Sequence, residues 1–173
     1  SHLNESFYTN VAWQYEPYEP RTPTPRQEQM LVTTFHAPLR GHPFVVRSHV
    51  DRSLEVLVQD SLNHIHLVSS TGNALWSKQM EGPIIGELFQ VDYYKNGKLQ
   101  YLFATEGKLH IIDRLGNYVP PFPVDVPAKD IEYLSLVDYD HSKNYRFLIT
   151  DKSGKIWMFD KQGTNLEGWT PNN

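Results

Sequence analysis

The feature that most constrains this chain is a turn that recurs at a near-constant interval. An apolar run enters a short polar turn closed by glycine at His66-Leu67-Val68-Ser69-Ser70-Thr71-Gly72. The same pattern returns at His110-Ile111-Ile112-Asp113-Arg114-Leu115-Gly116 and at Trp157-Met158-Phe159-Asp160-Lys161-Gln162-Gly163. The glycines are 44 and 47 residues apart. A unit of that length buries its apolar surface by stacking on copies of itself, so the period points to a repeat architecture.

The rest of each unit follows the same order. Leu31-Val32-Thr33-Thr34-Phe35-His36-Ala37-Pro38-Leu39-Arg40-Gly41 matches Trp76-Ser77-Lys78-Gln79-Met80-Glu81-Gly82-Pro83-Ile84-Ile85-Gly86, which predicts a strand followed by a Pro-to-Gly corner. An apolar stretch then ends in Val50-Asp51, Val91-Asp92 or Val137-Asp138. After a polar loop come second strands predicted over 54–58, 99–104 and 145–150, tight turns at Asn63, Gly107 and Gly154, and third strands over 65–68, 109–112 and 156–159. The runs are β-branched or aromatic, and none carries a helical period. The fold expected is all-β: antiparallel four-stranded blades, β-propeller-like, over residues 30–173, with units at about 31–75, 76–122 and 131–169. Closed propellers take about four to eight blades. Three units do not close a ring comfortably, so the expectation is an incomplete ring: one region of a longer protein first, with a ring closed between chains or an open stack of sheets as the alternatives.

Residues 1–29 read differently. Glu16-Pro17-Tyr18-Glu19-Pro20-Arg21-Thr22-Pro23-Thr24-Pro25 lacks amide donors at its prolines and predicts an extended linker. Trp13 fits the end of an earlier unit.

Composition narrows the function classes. The net charge of −4, with both signs interspersed, supplies no basic face for nucleic acid. With no cysteine, disulfides and thiolate metal sites are excluded. No apolar run approaches the roughly 20 residues of a membrane-spanning helix. Signatures for a nucleophile elbow, a zinc protease helix, a phosphate loop and a dinucleotide fold are all missing from the sequence.

Ser70-Thr71-Gly72-Asn73-Ala74-Leu75-Trp76 resembles the Gly-x-x-x-Trp segment of pyrroloquinoline-quinone-like, tryptophan-docking propeller repeats. The match is at Gly72 and Trp76; Pro120 stands at the tryptophan position after Gly116, and Trp169 comes late after Gly163. The run Gln90 to Phe103 is similar to repeats in large bacterial envelope proteins with propeller-like regions. The resemblance implies the architecture and an extracytoplasmic setting, in periplasm or cell envelope. It transfers no catalytic residue.

Three constellations carry the remaining expectations. Asp138, Asp140 and Ser142 place oxygens at alternate positions, the opening of a calcium-loop spacing, but lack the glycine at position 6 and the glutamate at position 12. Asp113 and Asp160, with Ser69 as their counterpart, suit capping of their own turns. His66, His110 and Trp157 are equivalent, and a flat ring for packing explains all three better than a metal pair does. The structural residues of the repeat are thus Gly72, Trp76, Asp113, Gly116, Asp160, Gly163 and Trp169. The function expected is a non-enzymatic module, without cofactor, that presents a surface to a protein partner or self-associates through exposed blade edges. The alternative is a ligand-binding or enzymatic propeller for glycan, calcium or quinone.

Overall fold

The chain falls into two compact units, Ser1–Met30 and Leu31–Asn173. The computed structural model describes residues 33–128 and 130–166, all within the second unit. The linker expected at 1–29, Trp13 and Trp169 lie outside the described residues.

Eleven strands and no helix make up those residues. Blade 1 is β1 (Leu39–Arg47), β2 (Leu54–Asp60), β3 (His64–Val68) and β4 (Ala74–Gln79). Blade 2 is β5 (Ile85–Val91), β6 (Gln100–Thr105), β7 (Lys108–Ile112) and β8 (Val124–Asp125). Blade 3 is β9 (Ile131–Val137), β10 (Arg146–Asp151) and β11 (Ile156–Phe159). Every pairing is antiparallel between sequence neighbours, giving orders β1-β2-β3-β4, β5-β6-β7-β8 and β9-β10-β11. The three sheets form an all-β, propeller-like stack whose ring is not closed.

The third sheet begins its fourth strand as the second does. A bridge joins Phe159 to Asn165 just as one joins Ile112 to Tyr118. The Leu166 amide donates to the Met158 carbonyl at 2.8 Å, as Val119 does to Ile111 at 3.0 Å.

Blade limits fall a few residues later than the sequence units. β4 runs through Trp76 to Gln79, so Trp76 closes the first blade instead of opening the second. The strand expected over residues 31–36 is not formed at Thr33–His36; β1 starts after the Pro38 corner. That corner occurs three times, at Pro38-x-x-Gly41, Pro83-x-x-Gly86 and Pro127-x-x-Asp130. The fourth residue has φ of +69°, +68° and +54°. Glycine adopts this left-handed backbone freely, and aspartate is one of the few other residues to tolerate it. The aspartate hides the third copy from a search for glycine.

Burial explains why these segments are strands. All six residues of β6 are buried, because a blade covers each face. Alternate side chains point opposite ways. Tyr101 and Phe103 join a core shared with blade 1 that holds Leu57, Ile65 and Leu67. Leu102 and Ala104 join a larger core shared with blade 3 that holds Leu134, Phe147, Ile149 and Phe159. Fully burying each such large apolar side chain contributes about 1.5–3 kcal/mol.

Candidate functional site

Antiparallel connection puts the first-to-second-strand loops and the third-to-fourth-strand turns on one rim of the stack. Their construction begins with short side chains bonding the backbone. Asp113 Oδ1 accepts from the amides of Leu115 and Asn117 at 2.8 and 2.9 Å, and Asp160 Oδ1 from Gln162 and Thr164 at 2.9 and 2.8 Å. Ser69 Oγ accepts from Asn73 at 3.1 Å. Each turn also closes through the amide of its glycine, at 2.9–3.0 Å to the carbonyl three residues back. Asp113, Asp160 and Ser69 thus each bond an amide of their own turn.

The loops of this rim are bonded from blade to blade. Gln90 and Arg47 exchange two hydrogen bonds of 2.8 Å between β5 and β1. Lys95 Nζ donates to Asn144 Oδ1 at 2.8 Å, and the Tyr145 hydroxyl accepts from the Asp92 amide at 3.0 Å. Lys143 Nζ reaches Asp92 Oδ2 at 2.5 Å. Burial works against the Asp92 charge, but bonds from Lys143, Gly97 and Asn96 outweigh it and hold the carboxyl below its usual range.

The calcium candidates lie in this network. Both Asp138 oxygens face the Lys143 amide at 3.2 Å, Asp140 Oδ1 accepts from Ser142 at 3.2 Å, and Ser142 Oγ accepts from Asn144 at 3.3 Å. The alternating oxygens serve their own turn backbone, and Lys143, where a calcium loop needs glycine, brings an ammonium into the loop. Among the described residues no group of three or more His, Asp or Glu side chains is arranged to hold a metal.

The equivalent rings are also locally satisfied. His66 Nε2 lies 3.1 Å from Asp60 Oδ2, His110 Nε2 lies 2.8 Å from Thr105 Oγ1, and Trp157 Nε1 lies 3.5 Å from Asp151 Oδ2. In every blade the last residue of the second strand meets a ring nitrogen of the third. His110 is stacked on Phe103 at 4.8 Å and is 2% exposed. Burial first, and Lys108 second, push its pKa down to about 4.

Against this bonded framework one set of side chains stands out into solvent. Val50, Leu115 and Tyr139 are 72%, 71% and 78% exposed, and Tyr94 is 53% exposed. All four sit on loops or turns of the same rim. Of the neighbouring aromatics, Tyr93 and Phe122 are buried, and Trp76 and Tyr118 are half-buried. The sequence alone does not mark this rim, since alternation cannot say which of two adjacent tyrosines points out.

Trp76 is spent on blade-to-blade docking. Its indole lies across Gly116, where an added Cβ would come within 3.1 Å of the ring. Its Nε1 donates to the Arg114 carbonyl at 2.7 Å. Arg114 in turn pairs with the buried Glu55 of blade 1, Nε to Oε2 at 3.1 Å. At the next joint Pro120 holds the sequence-equivalent place. Val124 and Phe122 do the docking instead, 2.7 and 3.3 Å from where a Gly163 Cβ would stand.

No protein-family model and no curated protein matches the sequence. Among solved structures the fold is similar to BBS1N in complex with ARL6DN, in crystals soaked with lead and with mercury. The TM-scores are 0.54 and 0.53, at 12% and 15% identity, covering 75% and 78% of this chain. The chain matches 43% and 46% of those chains, less than half their length. The likeness establishes a β-propeller-like fold, and those neighbours were solved bound to a protein.

Proposed function

We propose that this chain is a non-enzymatic, propeller-like module whose loop rim binds another protein. The observation that carries the reading is the row Val50, Tyr94, Leu115 and Tyr139, exposed on loops whose backbone is already bonded. Pre-ordered loops pay little entropy on binding, and aromatic side chains supply contact area at low rotamer cost. Rigid scaffolds that carry their contacts on loops follow the same logic. The protein-bound state of the structural neighbours supports a protein partner. Kinship with tryptophan-docking repeats, and the extracytoplasmic setting that goes with it, belong to the same reading. They rest on the Gly72-to-Trp76 spacing and on the docking of Trp76 across Gly116.

The test is photocrosslinking in the producing cells from a benzophenone amino acid at Tyr94 or Tyr139, compared with Leu62 on the opposite rim. A discrete adduct from the first two positions, absent at Leu62, is expected. The captured protein, once purified, should bind the Val50→Ser/Tyr94→Ser/Tyr139→Ser variant at least about tenfold more weakly. Equal capture from both rims, or unchanged affinity, would sink the proposal. Cell fractionation tests the extracytoplasmic setting separately.

A further inference from the structure

The second-to-third-strand turns and the Pro-led corners lie on the rim opposite the exposed loops. There each blade sets the last residue of its second strand beside the ring of its third. The three copies differ in how that place is closed.

In blade 1 both oxygens of Asp60 are used. Oδ1 accepts from the Leu62 and His64 amides at 2.9 Å, and Oδ2 lies 3.1 Å from His66 Nε2 and 3.4 Å from His64 Nδ1. The Phe35 ring packs on His66, with centroids 4.7 Å apart. In blade 2 Thr105 stands in place of the aspartate. His110 stacks with Phe103 and Tyr118, centroids 4.8 and 5.9 Å away, and Lys108 pairs with Glu81 at 2.7 Å. Both places are closed by side chains of the protein itself.

In blade 3 the same place is an open cleft of about 400 Å³, lined by Pro127, Asp130, Asp151, Ser153, Lys155 and Trp157. Trp157 is half-buried against the apolar core, and among the described residues no aromatic ring stacks on it. Asp151 is 6% exposed. Its Oδ1 accepts from the Ser153 amide, the Ser153 hydroxyl and the Lys155 amide at 2.9, 2.5 and 3.1 Å. Its Oδ2 meets only Trp157 Nε1, at 3.5 Å, beyond the ordinary hydrogen-bond range. A carboxylate oxygen has two lone pairs, so Oδ2 keeps acceptor capacity at the cleft wall. Asp130 and Lys155 are exposed, and among the described residues Lys155 makes no ion pair.

We infer that this cleft binds a neutral pyranose sugar. A pyranose carries an apolar C–H face and a ring of hydroxyls, and the cleft offers a counterpart to each. The indole of Trp157 supplies a flat apolar platform. Asp151 Oδ2 and the Asp130 carboxylate accept from hydroxyls, and Lys155 donates to a hydroxyl or ring oxygen. Hydrogen bonds to charged groups are stronger than neutral ones, and the Asp151 carboxylate is already oriented by its turn. Two carboxylates against one ammonium disfavour an anionic sugar or a phosphate. Only Pro127 and Trp157 are apolar, too little wall for a wholly apolar ligand. The volume falls in the lower part of the range for small-molecule sites, about 300–1,000 Å³. This cleft lies on the rim opposite Val50, Tyr94, Leu115 and Tyr139, so it stands or falls apart from the protein-binding reading.

The experiment is saturation-transfer difference NMR on the full 173-residue chain with methyl glycosides of glucose, galactose, mannose and N-acetylglucosamine, and with glucuronate as the anionic comparison. At least one neutral glycoside is expected to bind, with saturation strongest on the C–H protons of one ring face. It should also shift the indole N–H signal of Trp157, assigned by its loss in Trp157→Phe. Trp157→Leu should weaken binding at least about fivefold. Asp130→Asn should do so about tenfold. Asparagine tolerates the left-handed backbone of residue 130, and the substituted side chain is exposed, so this variant keeps the test open if Trp157→Leu fails to fold. Three outcomes overturn the inference: no neutral glycoside binds, glucuronate binds more tightly than all of them, or binding survives Asp130→Asn and Trp157→Leu unchanged. The rim triple variant used above should bind the glycoside as the wild type does, which keeps the two proposals separable.

Discussion

The joint between blades 1 and 2 and the joint between blades 2 and 3 solve one packing problem with different chemistry. The first sets polar bonds beside its own apolar core of Leu57, Ile65, Leu67, Tyr101 and Phe103. Glu55 is buried at 1% side-chain exposure against Arg114, and Gln59 donates to the Gly82 carbonyl and accepts from the Ile84 amide. Trp76 adds its indole bond, and His110 lies between Thr105 and Tyr118. The second joint is a continuous apolar core of Leu102, Phe122, Phe147, Ile149, Phe159 and their neighbours, with its charges at the rim, where Lys143 meets Asp92. A buried ion pair fixes geometry at a desolvation cost, whereas an apolar core supplies stability with looser geometric demands. The difference teaches that a repeat can hold its spacing constant while exchanging specificity for adhesion from one joint to the next.

The largest expected effect tests the apolar joint. Phe147→Asp or Leu102→Asp puts an unpaired carboxylate at a fully buried site. Loss of the cooperative melt and of the near-UV spectrum is expected; an unchanged melting temperature in either variant would show that the two faces of β6 and β10 are misassigned.

Breaking the polar joint comes next. Arg114→Ala leaves Glu55 buried without its partner and should cost about 3–5 kcal/mol by urea denaturation. Lys143→Ala also takes a partner from a buried carboxylate, but Asp92 keeps its bonds from the Asn96 and Gly97 amides, so the cost should be smaller, about 1–2 kcal/mol. Similar losses from the two would erase the distinction drawn between the joints.

The third test separates the joints by pH. Folding holds the pKa of His110 near 4, below the ordinary value of 6.5. The unfolded chain therefore takes up a proton that the folded chain refuses as pH falls through 6.5. Stability from this group is fully present above pH 6.5 and declines until about pH 4, by on the order of 3 kcal/mol in all. The Asp92 carboxyl is held below its usual range, so its contribution persists above about pH 4 and is lost only under stronger acid. Denaturation midpoints of His110→Gln should lose the slope between pH 6.5 and 5 and retain the acid limb. A slope that survives the substitution assigns it to another group.

The smallest effect compares two glycines of equal backbone conformation. Gly154 and Gly163 have φ of +83° and +80°. Alanine at Gly154 meets open space and should cost about 1 kcal/mol from backbone conformation alone. Alanine at Gly163 also drives a methyl toward Val124 and should cost about 1–3 kcal/mol more. Thermal melts that rank the pair equally would mean that Val124 yields freely, and that its docking at Gly163 adds little.

Local chemistry made much of this legible in the sequence. The third-strand turns were readable because Asp or Ser three residues before glycine bonds amides within the same turn. The second and third strands were readable from their apolar runs. Long-range pairing was not: nothing local ties Glu55 to Arg114, 59 residues on, or Asp92 to Lys143, 51 residues on. Docking at Gly163 was hidden because Pro120 displaces the docking residue down the chain to Val124. At Asp138 and Asp140 a one-dimensional pattern of oxygens does not show that the carboxylates face amides of their own loop.

β6 belongs to both joints at once, three side chains to each face. Parting either joint wets only one side of the strand and leaves its ladder to β5 and β7 in place. Its amides should therefore exchange with deuterated solvent only when the whole domain unfolds, while the outer sheets exchange through smaller, separate openings. The clock of global unfolding is then written in six consecutive peptide groups at the centre of the chain.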